Sequence, residues 1–80
     1  MPPKPRSGRD NPYYGYSTPM ISGRLRDLVS EMGVRPVYKN LRLAELVEWV
    51  IQELPGVAPD DPRTLDAMEL ATVLWERSRD

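Results

Sequence analysis

The strongest constraint on the fold is a periodic apolar pattern between Asn40 and Leu54. Its apolar side chains recur at intervals of three and four residues: Leu43, Leu46, Val47, Val50, Ile51 and Leu54. This spacing closes into a single stripe on an α-helix. Asn40 is suited to cap the first N–H groups of that helix, and Pro55-Gly56 is expected to end it. The sequence therefore predicts a helix over residues 41–54.

A first helix is predicted over residues 19–32. Thr18-Pro19 combines a capping side chain with a proline at the first helical position, where its missing N–H costs nothing. Gly33 follows the pattern as the expected left-handed residue at the C-terminus. The apolar face of this helix is formed by Ile21, Leu25, Leu28, Val29 and Met32.

A third helix is predicted over residues 62–78, because Asp61-Pro62 repeats the arrangement of a cap followed by proline. Its apolar stripe is Ala67, Leu70, Ala71 and Leu74, with Met68 and Trp75 on the flanks. Trp75 is expected in the core, and the residues expected to face solvent are Glu69, Thr72, Glu76 and Arg79. The predicted fold class is therefore all-α, a small three-helix domain over residues 19–80.

Residues 1–18 have a different composition, with four prolines and three tyrosines. The prolines exclude a helix or a central strand and indicate an extended N-terminal arm. Tyrosine rings provide a large contact area with few torsions to freeze, so this arm is expected to order on a partner protein. The expected contact residues are Tyr13, Tyr14, Tyr16, Arg6 and Arg9. The alternative is that the tyrosines fold back onto the chain's own helices.

The composition argues against an enzyme. The 80-residue chain contains no Cys and no His, which removes disulfides, thiolate metal ligands, the commonest zinc ligand and the usual general base. Two carboxylate pairs, Asp60-Asp61 and Asp66 with Glu69, lack a nearby nucleophile and are better explained as caps and solvated faces. We expect no catalytic residues, no metal, no cofactor and no small-molecule substrate.

The sequence also bears on location and partners. It has no apolar run long enough to span a bilayer and no apolar core of a signal peptide, which predicts a cytoplasmic or virion protein that is not secreted. Residues 1–42 hold eight basic and three acidic side chains, a net of +5, whereas residues 43–80 hold three and nine, a net of −6. Such a chain can bind an acidic partner with its first half and a basic partner with its second half. The alternative is that two solvated helix faces merely differ in charge.

Residues 25–52 resemble the helix–extended loop–helix motifs of the SAP and LEM type and of the N-terminal domain of the transcription terminator Rho. In that pattern a short helix ends in Gly-Val or Gly-Ile, an extended loop follows, and a second helix carries a Glu-Leu-Val or Glu-Leu-Ile core. The matching residues are Leu25, Leu28, Gly33, Val34, Tyr38, Leu41, Arg42, Glu45, Leu46, Val47 and Val50.

The resemblance implies nucleic-acid binding through Arg35, Lys39 and Arg42, as in many members. Other members bind proteins, and small phage proteins, some of them virion components, carry such motifs. This chain has Leu43-Ala44 where SAP and Rho-type members often have a lysine before the Glu-Leu core, and its second half is acidic. Both features weigh against nucleic acid, since affinity grows with the number of phosphates neutralised.

The function expected from the sequence is a non-enzymatic interaction or assembly module, such as a small virion-type structural or accessory protein that binds a partner or forms a homo-oligomer. Trp49 and Arg42 are candidate contacts on the helical surface, because Trp and Arg dominate interface energetics. Trp49 is alternatively covered by the third helix or by the arm. The other functional candidates are a nucleic-acid-binding module and a small regulator that blocks an enzyme.

Overall fold

The protein folds as a small all-α domain, described here from a computed structural model over residues 4–34 and 41–79. The helices are α1 (Thr18–Met32), α2 (Leu43–Gln52), α3 (Leu54–Val57) and α4 (Pro62–Ser78), and a single 3-10 turn, Gly8–Asp10, precedes them. The described ranges contain no strand. The chain thus has the predicted fold class, with one short helix in addition to the three expected.

Helix α4 is the centre of the domain, because it packs against α1, α2 and α3. Eight of its residues are buried: Thr64, Ala67, Met68, Glu69, Leu70, Ala71, Val73 and Leu74. These buried side chains occupy most of the circumference of α4 instead of forming one stripe. A helix that is buried on several sides holds its neighbours in place, so the positions of α1 and α2 depend on α4.

Helix α1 begins one residue earlier than predicted, at Thr18, because the Ser17 hydroxyl rather than that of Thr18 accepts the capping hydrogen bond. At the other end Gly33 adopts the left-handed conformation, with φ 64°, and its N–H donates to the carbonyls of Val29 and Ser30. Ile21, Leu25 and Val29 form the buried face.

Two arginines of α4 fix the direction of α1. The Arg63 Nη1 donates to the Glu31 carbonyl at 3.4 Å, and the Arg77 Nη1 donates to the Thr18 hydroxyl at 2.9 Å. The start of α4 therefore lies beside the end of α1, and its end lies beside the start of α1. The two helices run antiparallel.

Helix α2 is shorter than the predicted helix over residues 41–54. It starts at Leu43 after Arg42, whose backbone N–H donates to Glu45 Oε1 at 3.2 Å; the expected cap, Asn40, lies outside the described residues. Pro55-Gly56 does not end the helical region as expected. The break comes at Glu53, and Pro55 then lies in the first turn of α3, where proline needs no N–H partner.

The core is one apolar cluster shared by all four helices. The buried apolar side chains are Ile21, Leu25, Val29, Leu46, Val47, Val50, Leu54, Ala67, Met68, Leu70, Ala71, Val73 and Leu74. Tyr13 and Trp49 are partly buried and pack against its edge. None of the helices in the described ranges is long and apolar enough to cross a membrane.

Residues 4–17, named here the N-terminal segment, do not extend away from the domain. The segment makes the 3-10 turn Gly8–Asp10 and further turns up to Tyr16, and it packs along α4. This packing explains why Glu69 is buried and Glu76 is partly covered, although both were expected to face solvent. The N-terminal segment covers that side of α4.

Candidate functional site

An ion pair attaches the N-terminal segment to the middle of α4. Arg6 Nε donates to Glu69 Oε2 at 2.7 Å, Arg6 Nη2 donates to Glu69 Oε1 at 3.2 Å, and the Arg6 backbone N–H donates to Glu69 Oε2 at 3.1 Å. The Glu69 side chain is 0% exposed, whereas that of Arg6 remains 57% exposed. Arg6 therefore lies over a buried carboxylate and satisfies both of its oxygens.

Asn11 is the second attachment and is only 2% exposed. Its amide nitrogen donates to the Arg6 and Glu69 carbonyls, both at 2.9 Å, and its amide oxygen accepts from the Tyr13 N–H at 2.9 Å. One side chain thus joins both ends of the segment's turn to the α4 backbone. No buried side-chain nitrogen or oxygen in the described part of the chain lacks a hydrogen-bond partner.

These contacts shift the ionisation of both partners. Burial alone would raise the pKa of Glu69, but the hydrogen bonds and charge of Arg6 outweigh that effect and hold the pKa below its ordinary value. The pKa of Arg6 is raised by the hydrogen bond to Glu69 and by its charge. The pair is therefore ionised at neutral pH.

A third attachment lies near the C-terminal end of α4. Arg77 Nη2 donates to the Tyr14 carbonyl at 2.9 Å and to the Tyr16 carbonyl at 2.6 Å. The Gly8 N–H donates to Glu76 Oε1 at 3.2 Å. Together these bonds fix the backbone on both sides of Tyr14, so the exposed ring of Tyr14 is presented from an ordered position.

The ring of Tyr14 faces a cleft with Trp75, which we name the aromatic cleft. Its volume is 420 Å³, and it is lined by Gly8, Tyr14, Val73, Trp75, Glu76, Arg77 and Arg79. Tyr14 is 50% exposed and Trp75 is 45% exposed. Trp75 was expected in the core; it lies in the last turns of α4, which is longer than its neighbour α2.

Arg79 partly covers the tryptophan. Its guanidinium carbon lies 4.5 Å from the centre of the Trp75 ring, a cation–π contact. Within the described residues no carboxylate lies at salt-bridge distance from Arg79. The aromatic cleft therefore combines exposed aromatic surface with a guanidinium that has no acidic partner in that part of the chain.

A second cleft, of 330 Å³, lies between the N-terminal segment, α1 and α4. Its lining is mainly acidic and aliphatic: Tyr13, Arg24, Asp27, Leu28, Glu31, Asp66 and Leu70. Burial of the Tyr13 phenol and the nearby Asp66 carboxylate raise the pKa of Tyr13. No group of three or more His, Cys, Asp or Glu side chains in the described ranges is placed to hold a metal ion.

The three tyrosines of the expected contact set have different surroundings. Tyr13 packs against the core and meets the Tyr16 ring edge to face at 5.4 Å. Tyr16 is exposed, with the Arg24 guanidinium 6.0 Å from its ring centre. Only Tyr14 joins the aromatic cleft, so the tyrosines do not form one continuous surface.

The other expected site residues are dispersed. Arg6 is engaged by Glu69, while Arg9 is exposed in the 3-10 turn. Arg42 is exposed at the start of α2, and Trp49 is partly buried against the core. The two remaining cations of the nucleic-acid alternative, Arg35 and Lys39, lie outside the described residues.

Sequence reasoning missed the burial of Glu69, the role of Asn11 and the placement of Tyr14 and Trp75 in one cleft. A glutamate at a helix position next to the apolar stripe carries no sign of burial, since only the packing of a remote segment covers it. The one available signal was the concentration of aromatic and basic side chains in residues 4–17, which is unusual for a solvated tail.

The chain matches no family model, no curated protein and no solved structure. The chemical character of the aromatic cleft follows from its own side chains. These are rings, guanidinium groups and one carboxylate that already accepts a backbone hydrogen bond. They supply binding surface and charge, and no nucleophile paired with a base.

Proposed function

We propose that this chain is a non-enzymatic interaction module that binds a protein partner through the aromatic cleft. The observation that supports this proposal is that Tyr14 and Trp75, two large exposed side chains, line one cleft together with Arg77 and Arg79. Trp, Tyr and Arg are the residue types that carry most binding energy in protein interfaces.

The attachment of the N-terminal segment supports the same proposal. Tyr14 is supplied by this segment and Trp75 by α4, and the bonds of Arg77 and Glu76 hold the two together. A surface that is ordered before binding loses less conformational entropy in the complex. An assembly role of this kind agrees with a small accessory or virion-type structural protein.

The test places a photo-cross-linking amino acid at position 75 and, as a matched control, at position 20, in the cells or particles that contain the protein. Met20 is 53% exposed but does not line the aromatic cleft. We expect position 75 to give a discrete protein adduct and position 20 to give none. The partner identified by mass spectrometry is then purified for affinity measurements.

With the purified partner, Trp75→Ala is expected to weaken binding by about 30-fold or more, the loss typical of an interface hot spot, while Met20→Ala leaves affinity unchanged. If the adduct is a second copy of the chain, sedimentation velocity replaces the affinity measurement. Equal adducts at both positions, or an unaffected Trp75→Ala variant, would contradict the proposed site.

Nucleic-acid binding is the competing outcome. It would appear as binding to mixed-sequence DNA or RNA that falls steeply with salt and is lost when Arg35, Lys39 and Arg42 are changed to alanine. A contact carried by Trp75 and Tyr14 should tolerate salt much better.

A further inference from the structure

We infer that the aromatic cleft binds an extended acidic segment of the partner, in which a carboxylate lies next to an apolar side chain. This inference rests on the proposed function and specifies the chemistry of its partner. Two properties of the cleft carry it: the distribution of its charges and the division of its surface into an apolar and a cationic part.

The charges of the cleft favour an anion. Two guanidinium groups, those of Arg77 and Arg79, face one carboxylate, that of Glu76. Glu76 already accepts from the Gly8 N–H, and Arg77 donates to carbonyls of the N-terminal segment. Among the described residues the Arg79 guanidinium has a cation–π contact with the Trp75 ring and no salt bridge, so it is the cation left to pair with an incoming carboxylate.

The apolar part of the cleft lies directly beside that cation. Trp75 and Tyr14 supply exposed rings, and Val73 lies buried beneath them. Because Arg79 lies against the Trp75 ring, a carboxylate on Arg79 brings the neighbouring side chain of the same peptide onto the aromatic surface. A volume of 420 Å³ accommodates one or two side chains, which suits a short extended segment better than a packed helix.

The same features disfavour nucleic acid at this cleft. A polyanion needs several cations along its backbone, whereas among the described residues only the Arg79 guanidinium in the cleft lacks a hydrogen-bonded or ionic partner, and it lies with the Glu76 carboxylate at the negative end of the α4 dipole. A single carboxylate needs only this one cation. The observations therefore favour an acidic peptide over DNA or RNA.

The test selects a displayed library of random linear peptides on the full chain and counter-selects on Trp75→Ala. We expect the enriched peptides to carry Asp or Glu within two residues of an aromatic, aliphatic or proline side chain. In the best of them, replacement of the carboxylate by its amide should weaken binding by about two- to fivefold, the upper part of the range for an exposed ion pair.

Charge reversal separates the inference from the proposed function. Arg79→Glu should reduce affinity for the acidic peptide by about tenfold and improve binding of its Lys analogue, because the attraction becomes a repulsion. Lys4→Glu is the matched control, since Lys4 is an exposed cation outside the cleft, and it should leave the selected peptide's affinity unchanged.

Each remaining outcome is decisive. Peptides that depend on Trp75 but show no preference for acidic residues would keep the proposed function and overturn the acidic partner. Enrichment of basic peptides would also overturn the acidic partner. Failure to enrich any Trp75-dependent peptide would overturn the acidic segment and leave the proposed function to the cross-linking test, whereas salt-sensitive binding of mixed-sequence single-stranded DNA that is lost with Arg79→Glu would overturn both.

Discussion

Among the described residues, Glu69 is the only charged residue whose side chain is buried. A buried carboxylate without partners would be strongly destabilising, and here Arg6 provides three donors, two of them from its guanidinium. The Arg6 side chain stays half exposed, so the ion pair removes less water from Arg6 than from Glu69. The burial of Glu69 therefore makes the position of Arg6 a requirement of the fold.

Arg6→Ala is expected to lower the free energy of unfolding by clearly more than a substitution at an exposed position of the same segment, because the Glu69 carboxylate stays buried and loses its charged hydrogen bonds. Urea denaturation at neutral pH measures the change. Arg9→Ala, in the same segment but at an exposed position, should stay within about 0.5 kcal/mol of the wild type. Equal losses in the two variants would contradict the ion pair.

The lowered pKa of Glu69 predicts acid sensitivity. At a pH below 4.5, the ordinary pKa of a glutamate, the Glu69 carboxylate binds a proton in the unfolded chain but not in the folded chain. The free energy of unfolding therefore falls as the pH decreases, and it levels off below the folded-state pKa of Glu69. The hydrogen bonds to Arg63 likewise lower the pKa of Asp61, so Asp61 contributes to the same pH dependence. Glu69→Gln should therefore flatten the pH dependence without removing it, as measured by denaturation from about pH 7 to pH 3.

The two glycines of α1 have opposite conformational roles. Gly23 lies within the helix, and a Cβ at this position would meet nothing within 4 Å. Gly33 has φ 64° and ends the helix in a conformation that side chains with a Cβ rarely adopt. Glycine therefore destabilises the helix at position 23, whereas the left-handed conformation at position 33 requires it.

Gly23→Ala should raise the free energy of unfolding by about 0.5 to 1 kcal/mol, and Gly33→Ala should lower it by about 1 kcal/mol. The same substitution is made within one helix, so each variant is the control for the other. Thermal and urea unfolding measure both. Changes of the same sign would show that the end of α1 is not as described.

The buried alanines of α4 leave no room for larger side chains. Ala71 is 0% exposed within the core cluster, whereas Ala44 is exposed on α2. Ala71→Leu should cost about 1 to 3 kcal/mol through overpacking, and Ala44→Leu should stay within about 0.5 kcal/mol of the wild type. Urea denaturation compares the two variants. A small effect at both positions would mean that α4 is less tightly enclosed than its burial indicates.

How well each element could be predicted depends on where its signals lie. Local signals at Asp61-Pro62 place the start of α4, and the cap and proline near Thr18 place α1 to within one residue. They fail at Pro55-Gly56, because a proline that ends one helix can equally begin another. Apolar spacing gives the angle of a residue around its helix, but it does not show how far a neighbouring helix reaches, so the exposure of Trp75 was not predictable.

The aromatic cleft was even less predictable, because it depends on contacts between the two ends of the chain. Tyr14 and Trp75 are 61 positions apart, and they line one cleft because Arg6, Gly8, Asn11 and the Tyr14 carbonyl are bound to α4. No periodicity within one element encodes such a contact. The aromatic content of residues 4–17 indicated that the segment orders on a surface, but it could not identify that surface as α4.

The domain as a whole depends on the N-terminal segment to complete α4. A chain that begins at Ser17 loses the Arg6 and Asn11 contacts and exposes Glu69, which the full chain covers. We expect it to unfold about 12 to 24 °C below the full chain, since about 3 kcal/mol is lost and each kcal/mol shifts the midpoint by about 4 to 8 °C in a domain of this size.

A synthetic peptide of residues 1–16 then tests whether the loss is specific. Added to the shortened chain, it should restore part of the thermal stability as its concentration rises, because it binds the folded state and not the unfolded state. The same peptide with Asn11→Ala should restore less, since it lacks the side chain that joins the Glu69 carbonyl to the Tyr13 N–H. A shortened chain as stable as the full chain would show instead that α4 does not need this cover, and Tyr14 would then lack the support on which the aromatic cleft depends.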